Sequence, residues 1–284
     1  MTTSGDIDQT LEQGYNVRAA RRDFGHILER WSERSESFRT AHGGSVDVSY
    51  GPSERSRLDI FTASTKGAPT LIYLHGGYWQ SGDKSIYSFV AEPFVERAVN
   101  VVVMGYTLCP RSTIPDIVKE VRSGLAWLFR NGKDYGLEGA RLNLGGHSAG
   151  GHLTAMMLTT RWIELNGDLP SDLVKSGIPI SGLYDLAPLR RTSINHAAGI
   201  DPDAARRFSP LFLPPASNAP VLAVVGGDET GAFHQQTEDF VERWSEAGAR
   251  VERHVEPGVD HFDVVNRFAD PGSVLFRKTL DWLV

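Results

Sequence analysis

The sequence predicts an α/β fold with a mostly parallel central sheet and helices on both faces of that sheet. Short runs rich in Val, Ile and Leu end at turn residues, which is typical of strands buried on both faces. Segments with apolar residues three or four apart lie between these runs and predict helices. Strands alternating with helices indicate this class of fold. Because no internal repeat or linker-like segment interrupts the 284 residues, we expect a single domain spanning 1–284.

The apolar runs place the predicted strands as follows: residues 58–61, 70–74, 99–104, 141–144, 177–181, 221–225 and 250–255. The helical spacing is clearest within residues 7–15, 24–31, 117–128, 153–157, 240–244 and 275–283. Two segments fall outside this alternation. They are the N-terminal segment (residues 1–40) and the inserted segment (residues 183–218), and both are candidates to cover the functional site.

Composition and charge exclude several classes of protein. The net charge is −6 with no long basic run, which argues against a nucleic-acid partner. No apolar run approaches the roughly 18 residues of a membrane span, and the polar N-terminus does not resemble a signal peptide. The single cysteine, Cys109, excludes an internal disulfide. We therefore expect a cytoplasmic protein acting on a small-molecule substrate without membrane contact, and the sequence leaves open whether it is a monomer or a homodimer.

The most informative motif is Gly-His-Ser-Ala-Gly at residues 146–150, between a predicted strand and a predicted helix. A G-x-S-x-G motif in that context forms a tight turn that raises the serine hydroxyl above the sheet. We predict Ser148 to be a nucleophile and the backbone N–H of Ala149 to stabilise an oxyanion. The alternative is a chance match to the motif in a chain with 29 glycines. The predicted strand and helix on either side argue against a chance match.

A second motif, His-Gly-Gly-Tyr-Trp at residues 75–79, follows the predicted strand 70–74. Glycines at this point let the backbone approach a substrate closely and offer its N–H groups. We predict an oxyanion hole formed by Gly77, Tyr78 and Ala149, with Gly76 as the next candidate donor.

The acid and the base are predicted from chain order, because in serine hydrolases with this type of elbow both follow the serine. His261 is the last histidine and follows the last predicted strand, so we predict it to be the general base. Asp228 follows residues 221–225 and is the predicted acid, with Glu229 as the alternative. Asp260, next to the histidine, is expected to shape its loop. The predicted catalytic residues are therefore Ser148, Asp228 and His261.

Other histidines are expected to have structural roles. His75 is expected to tie down its loop, and His147 and His152 to pack or hydrogen-bond beside the serine. The histidines are scattered, no H-E-x-x-H motif or cysteine pair occurs, and no G-x-G-x-x-G follows the first strands. We therefore predict neither a metal site nor a bound cofactor.

Three motifs together resemble a known family. HGGYW at residues 75–79, GHSAGGH at 146–152 and DHF at 260–262 are similar to the motifs of kynurenine formamidases, also called arylformamidases. That family has the α/β-hydrolase fold and is related to esterases and lipases. The resemblance covers roughly residues 50–270 and includes ISGLYDL at 180–186.

The resemblance implies a metal-independent serine hydrolase that converts N-formyl-L-kynurenine to kynurenine and formate through an acyl-enzyme, in tryptophan catabolism. It also implies a triad of Ser148, Asp228 and His261. The segment GGDETGAF at residues 226–233 is one residue longer than the usual family pattern, which leaves Glu229 open as the acid.

Substrate contacts are less defined by the sequence. Trp79 and Phe262 directly follow predicted catalytic positions and could stack on an aryl leaving group, or both could belong to the core. Arg190 and Arg191 in the inserted segment could bind a substrate carboxylate, although an ordinary solvated pair is the simpler interpretation.

Two further hypotheses about function use the same residues. One is a carboxylesterase acting on short-chain or aryl esters, with no role in kynurenine metabolism. The other is a non-catalytic binding protein on a hydrolase scaffold, which the filled positions for serine, acid and histidine argue against.

Overall fold

A single eight-stranded sheet organises the computed structural model, which describes residues 7–137 and 141–283. The strands are β1 (Ser45–Ser49), β2 (Arg57–Phe61), β3 (Thr70–Leu74), β4 (Asn100–Met104), β5 (Leu142–His147), β6 (Val174–Ile180), β7 (Val221–Gly226) and β8 (Val251–Glu256). Their order across the sheet is β1-β2-β4-β3-β5-β6-β7-β8. Strand β2 is antiparallel to both of its neighbours, and β3 to β8 are parallel to one another. The predicted fold class is confirmed.

Every predicted strand is present, and the prediction for residues 70–74 matches β3. The sequence did not predict β1, because its side chains are mostly exposed and form no apolar run. Such a short polar strand at a sheet edge is a common way to discourage pairing with another chain.

The helices of the described residues are α1 (Gln9–Tyr15), α2 (Val17–Ala20), α3 (Phe24–His42), α4 (Ala91–Val95), α5 (Ile114–Asn131), α6 (Ala149–Leu158), α7 (Trp162–Leu165), α8 (Asn195–Ala198), α9 (Pro202–Arg207), α10 (Gly231–Glu246), α11 (Asp263–Phe268) and α12 (Val274–Trp282). All residues of β3 and β4 are buried. Because alternate side chains of a strand point to opposite faces, both faces of the sheet centre must be covered. Helix α6 packs against β5 and β6, and α10 against β7 and β8.

The N-terminal segment, described from residue 7 onward, lies over the carboxyl ends of the parallel strands. The Thr230 hydroxyl, just after β7, donates to the Gly14 carbonyl oxygen at 2.6 Å. The Asp8 N–H donates to the Arg191 carbonyl oxygen at 2.9 Å and so joins the N-terminal segment to the inserted segment. Loops at this edge of a parallel sheet are where ligands bind.

Across residues 7–137 and 141–283, the structure contains no helix with both the length and the apolar character needed to cross a membrane.

Candidate active site

The turn between β5 and α6 holds Ser148 in a strained conformation. Its φ is 56° and its ψ is −116°, a region that residues with a Cβ rarely adopt. Its N–H donates to the Ile180 carbonyl oxygen at 2.8 Å. A Cβ at Gly146 would lie 2.3 Å from the Gly150 carbonyl oxygen, and one at Gly150 would lie 1.9 Å from that of Leu74. The close packing of the turn against β3 therefore requires both glycines of the motif.

Backbone donors surround this serine. The N–H groups of Gly77, Tyr78 and Ala149 make no hydrogen bond to the described part of the chain, and Ala149 begins α6. Gly77, Tyr78 and Ser148 line one cavity. The Tyr78 hydroxyl donates to the Tyr15 carbonyl oxygen, so the N-terminal segment fixes the donor loop. The predicted oxyanion donors are thus brought beside the serine and are free to bind a negative oxygen.

The acid that contacts His261 is Glu229, and the prediction of Asp228 is wrong in this respect. Glu229 Oε2 lies 2.6 Å from His261 Nδ1, and both side chains are buried. The second oxygen, Oε1, accepts hydrogen bonds from the Ser181 hydroxyl and from the Gly226 N–H at 2.7 Å. The side chain of Asp228 is exposed. Glu229 is therefore the buried, hydrogen-bonded carboxylate that orients the histidine ring.

The path of the chain after β7 explains the one-residue shift. Strand β7 continues through Gly226, one residue beyond its predicted end. The Asp228 N–H then donates to the Val259 carbonyl oxygen at 3.0 Å, which holds its backbone against the histidine loop while its side chain faces solvent. Glu229 comes next, turns inward, and reaches the ring with its longer side chain.

The loop carrying His261 is held by Asp260, as predicted. Asp260 Oδ1 accepts the N–H groups of Phe262 and Asp263, each at 2.9 Å, and Oδ2 is bound by Arg21 of the N-terminal segment. Burial raises the pKa of Asp260, but these donors outweigh it and hold the pKa below its usual range. The loop is therefore locked by a charged carboxylate that does not contact the histidine ring.

The remaining histidines near the site have the structural roles predicted for them. Burial lowers the pKa of His75 and of His152 to about 4. Burial, with the nearby His261, lowers the pKa of His147 well below its ordinary value. Each of the three has a ring nitrogen within 2.8 Å of a backbone carbonyl oxygen: those of Gly76, Phe208 and His261, respectively. These contacts fix loops and leave His261 as the base candidate.

The cavity above Ser148 and His261 has a volume of about 370 Å³. Ser148 and His261 line it together with a group of apolar and aromatic side chains from the N-terminal segment, called here the aromatic wall. That wall consists of Val17, Phe24, Leu28 and Trp31, and it is continued by Ile86, Tyr87 and Phe262. A larger surface groove of about 710 Å³ beside α4 and α11 contains neither the serine nor the histidine.

Of the two predicted substrate contacts, Phe262 lines this cavity and Trp79 does not. Trp79 is fully buried, and its ring meets that of His152 edge-on at 5.0 Å. The prediction for Trp79 is therefore wrong. The backbone has a positive φ at both Tyr78 and Trp79, and the sharp turn directs Tyr78 to the cavity and the indole to the core.

The sequence predicted the N-terminal segment as a possible cover of the site, but not which of its side chains line the cavity. The spacing of Phe24, Leu28 and Trp31 predicts a helix, but nothing local shows that this stripe borders the serine. Arg190 and Arg191 are exposed and do not line the cavity; Arg191 instead pairs with Asp8, Nη2 to Oδ2, at 3.0 Å. The described residues also hold no group of three His, Cys, Asp or Glu placed to bind a metal ion.

Comparisons with known proteins identify relatives of this chain. The BD-FAE family model matches residues 58–243. The kynurenine formamidase of Salmo salar is 32% identical over 79% of this chain and 77% of its own length, and that of Danio rerio is 30% identical over 83% and 80%. A solved structure from Silicibacter sp. TM1040, described as a candidate thioesterase, is 31% identical, covers 94% of this chain and 97% of its own, and superposes with a TM-score of 0.83.

Proposed function

Because the chain belongs to the kynurenine formamidase family of α/β-hydrolases, we propose that it is a serine hydrolase that cleaves aryl formamides, with N-formyl-L-kynurenine as substrate. The buried contact of 2.6 Å between Glu229 and His261 carries this proposal, together with Ser148 in the same cavity as the histidine. The nucleophile, the acid and the base follow one another along the chain in the order that this fold uses.

In the proposed reaction, Ser148 Oγ attacks the formyl carbon while His261 Nε2 takes the hydroxyl proton. The Glu229 carboxylate accepts a hydrogen bond from Nδ1–H, which fixes the tautomer and stabilises the imidazolium that forms. His261 then donates the proton to the departing aryl amine, leaving a formyl ester on Ser148. A water molecule, deprotonated by His261, then attacks this ester. His261 returns the proton to Ser148 Oγ as the C–O bond to the serine breaks, and formic acid leaves and ionises to formate.

Stabilisation of the tetrahedral intermediates is assigned to the N–H groups of Gly77, Tyr78 and Ala149. These donors need no rearrangement, because none of them bonds to another described residue. Ala149 also sits at the N-terminus of α6, where the helix dipole favours negative charge. Preorganised donors of this kind are each worth roughly 10²- to 10³-fold in kcat in serine hydrolases.

The cavity wall supports an aromatic leaving group. The rings of Phe24 and Phe262 are 4.9 Å apart, and that of Phe262 stands 5.5 Å from His261. Both phenylalanine rings line the cavity, and aromatic side chains favour offset or edge-on packing with a further ring. We propose that the N-terminal and inserted segments act as a fixed cover that provides this surface.

A carboxylesterase is the second candidate, because an esterase of Mycobacterium tuberculosis is 27% identical over 77% of this chain and 60% of its own length. Esters and formamides would use the same serine, base and acid. The difference lies in the leaving group, which for a formamide is a poorly leaving amine that must be protonated by His261.

Comparison of kcat/KM for N-formylkynurenine with that for 4-nitrophenyl acetate tests the proposal. An aryl formamidase should process N-formylkynurenine with the higher kcat/KM, even though the ester is intrinsically more reactive. Efficient hydrolysis of the acetate with no measurable release of kynurenine would favour the esterase instead.

A further inference from the structure

An exposed cationic side chain contributes to the active-site cavity. Arg18 of α2 lines the same cavity as Ser148, and among the described residues that line it Arg18 is the one Lys or Arg. Among the described residues that line this cavity there is no Asp or Glu. Glu12 and Glu229, which contact lining residues, are both hydrogen-bonded. Arg18 is therefore the charged group of the described lining that can attract an anionic ligand group.

The guanidinium of Arg18 is not occupied by an ion pair in the described part of the chain. Its neighbour Arg21 differs, since it pairs with Asp23, Asp260 and Asp263. Instead, the Arg18 guanidinium carbon lies 4.8 Å from the centre of the Phe24 ring. Stacking on an aromatic face holds the guanidinium in place and leaves its in-plane N–H donors available.

A continuous aromatic surface joins this cation to the reacting groups. The Phe24 ring beneath Arg18 is 4.9 Å from Phe262, and Phe262 is the residue after His261 in the chain. An aryl ring lying on Phe24 and Phe262 would have its formamide at the Ser148 end. A substituent at the other end of that ring would then meet the guanidinium.

We propose that Arg18 determines specificity by binding a carboxylate carried on the leaving group of the substrate. This inference rests on the proposed hydrolysis of aryl leaving groups. It replaces Arg190 and Arg191, which the sequence offered for this role and which lie outside the cavity. Arginine suits the task, because its planar fork can donate two parallel hydrogen bonds to a carboxylate.

The test compares a charged and a neutral substrate in four proteins: the wild type, Arg18→Gln, Arg18→Lys and Arg22→Gln. Arg22 is a matched control, since it is exposed on the same segment and does not line the cavity. The substrates are N-formylkynurenine and formanilide, which lacks the carboxylate. We expect Arg18→Gln to lower the charged-to-neutral ratio of kcat/KM by about 10-fold, mainly through KM, because a hydrogen bond to a charged group is lost.

Arg18→Lys should recover part of that ratio, and Arg22→Gln should match the wild type. An unchanged ratio in Arg18→Gln, or an equal loss on both substrates, would overturn the role of Arg18. A wild type inactive on both formamides would count against the proposed function alone. In that case the charged-to-neutral ratio of kcat/KM is measured in the same four proteins with 3-(4-acetoxyphenyl)propanoate and its methyl ester. These two aryl acetates present a carboxylated and a neutral aryl leaving group to an esterase.

Discussion

The acid of the site shows what the sequence can and cannot specify at the scale of one residue. Chain order located the acid to the loop that follows β7, at Asp228 or Glu229. Choosing between them required knowing where β7 ends and which way each side chain turns. Both depend on the contact between Asp228 N–H and the Val259 carbonyl oxygen, which joins residues far apart in the chain and leaves no local signal.

Replacement of the two neighbouring acids by their amides tests this assignment. Glu229→Gln removes the carboxylate that orients and stabilises His261, and the equivalent change in serine proteases costs roughly 10⁴-fold in kcat. We expect a loss of about that size for Glu229→Gln and less than about twofold for Asp228→Asn, since the latter side chain is exposed. Steady-state kcat on 4-nitrophenyl acetate provides the measurement, and a large loss in Asp228→Asn with normal Glu229→Gln would refute the assignment.

At the scale of elements, the N-terminal segment is the part that the sequence describes least well. Its helical stripes were predicted, but several of its contacts join residues more than 200 positions apart. Trp31 Nε1 donates to Asn266 Oδ1 at 2.9 Å, 235 residues away, and Arg21 reaches Asp263 at 3.0 Å, 242 residues away. Such contacts depend on the completed fold, so single-sequence patterns carry no information about them.

Arg21→Gln should loosen this segment from the histidine loop. The variant loses its ion pairs to Asp23, Asp260 and Asp263, which are partly exposed, so we expect a cost of about 1 kcal/mol. In a chain of this size that lowers Tm by about 2 °C. Differential scanning calorimetry and limited proteolysis of the N-terminal segment give the readouts, with Arg22→Gln as the exposed control. Identical Tm values and cleavage rates in the two variants would show that Arg21 does not hold the segment.

For the whole molecule, the alternation of buried runs and helical stripes was sufficient to predict the fold class and all strands except β1. Strands such as β3, in which every residue is buried, can be recognised from their apolar composition. The positions of Ser148, His261 and the proposed oxyanion donors at one site were also predictable, because short motifs and chain order define them. The sequence could not predict three features of the site, because each depends on tertiary contacts. These are the aromatic wall, the presence of Arg18 in the cavity lining and the burial of Trp79 in the core.

Global stability should fall in mild acid because several histidines are buried in the neutral form. The pKa of His75 and of His152 is lowered to about 4 by burial, whereas an unfolded imidazole titrates near about 6.5. Between these values the unfolded state binds protons that the folded state does not, so stability decreases as pH falls from about 6.5 to about 4. Each histidine would contribute a loss of about 3 kcal/mol by pH 4.

Urea unfolding at intervals from pH 7.5 to pH 4.5 measures this dependence. We expect a nearly constant free energy of unfolding above about pH 6.5 and a steep decrease below it. The double variant His75→Gln/His152→Gln, if folded, should show a shallower decrease than the wild type. A wild-type free energy of unfolding that stays level down to pH 4.5 would contradict the neutral, buried state of these rings.

We propose Ser148 as the nucleophile of an aryl formamidase. The most direct test compares turnover of N-formylkynurenine by the wild type and by Ser148→Ala. We expect kynurenine release by the wild type and a kcat lower by about 10⁴-fold or more in the variant, since only the oxyanion donors and binding remain. Circular dichroism establishes that the variant is folded. Release of kynurenine by folded Ser148→Ala at a rate within about 10-fold of the wild type would contradict the claim.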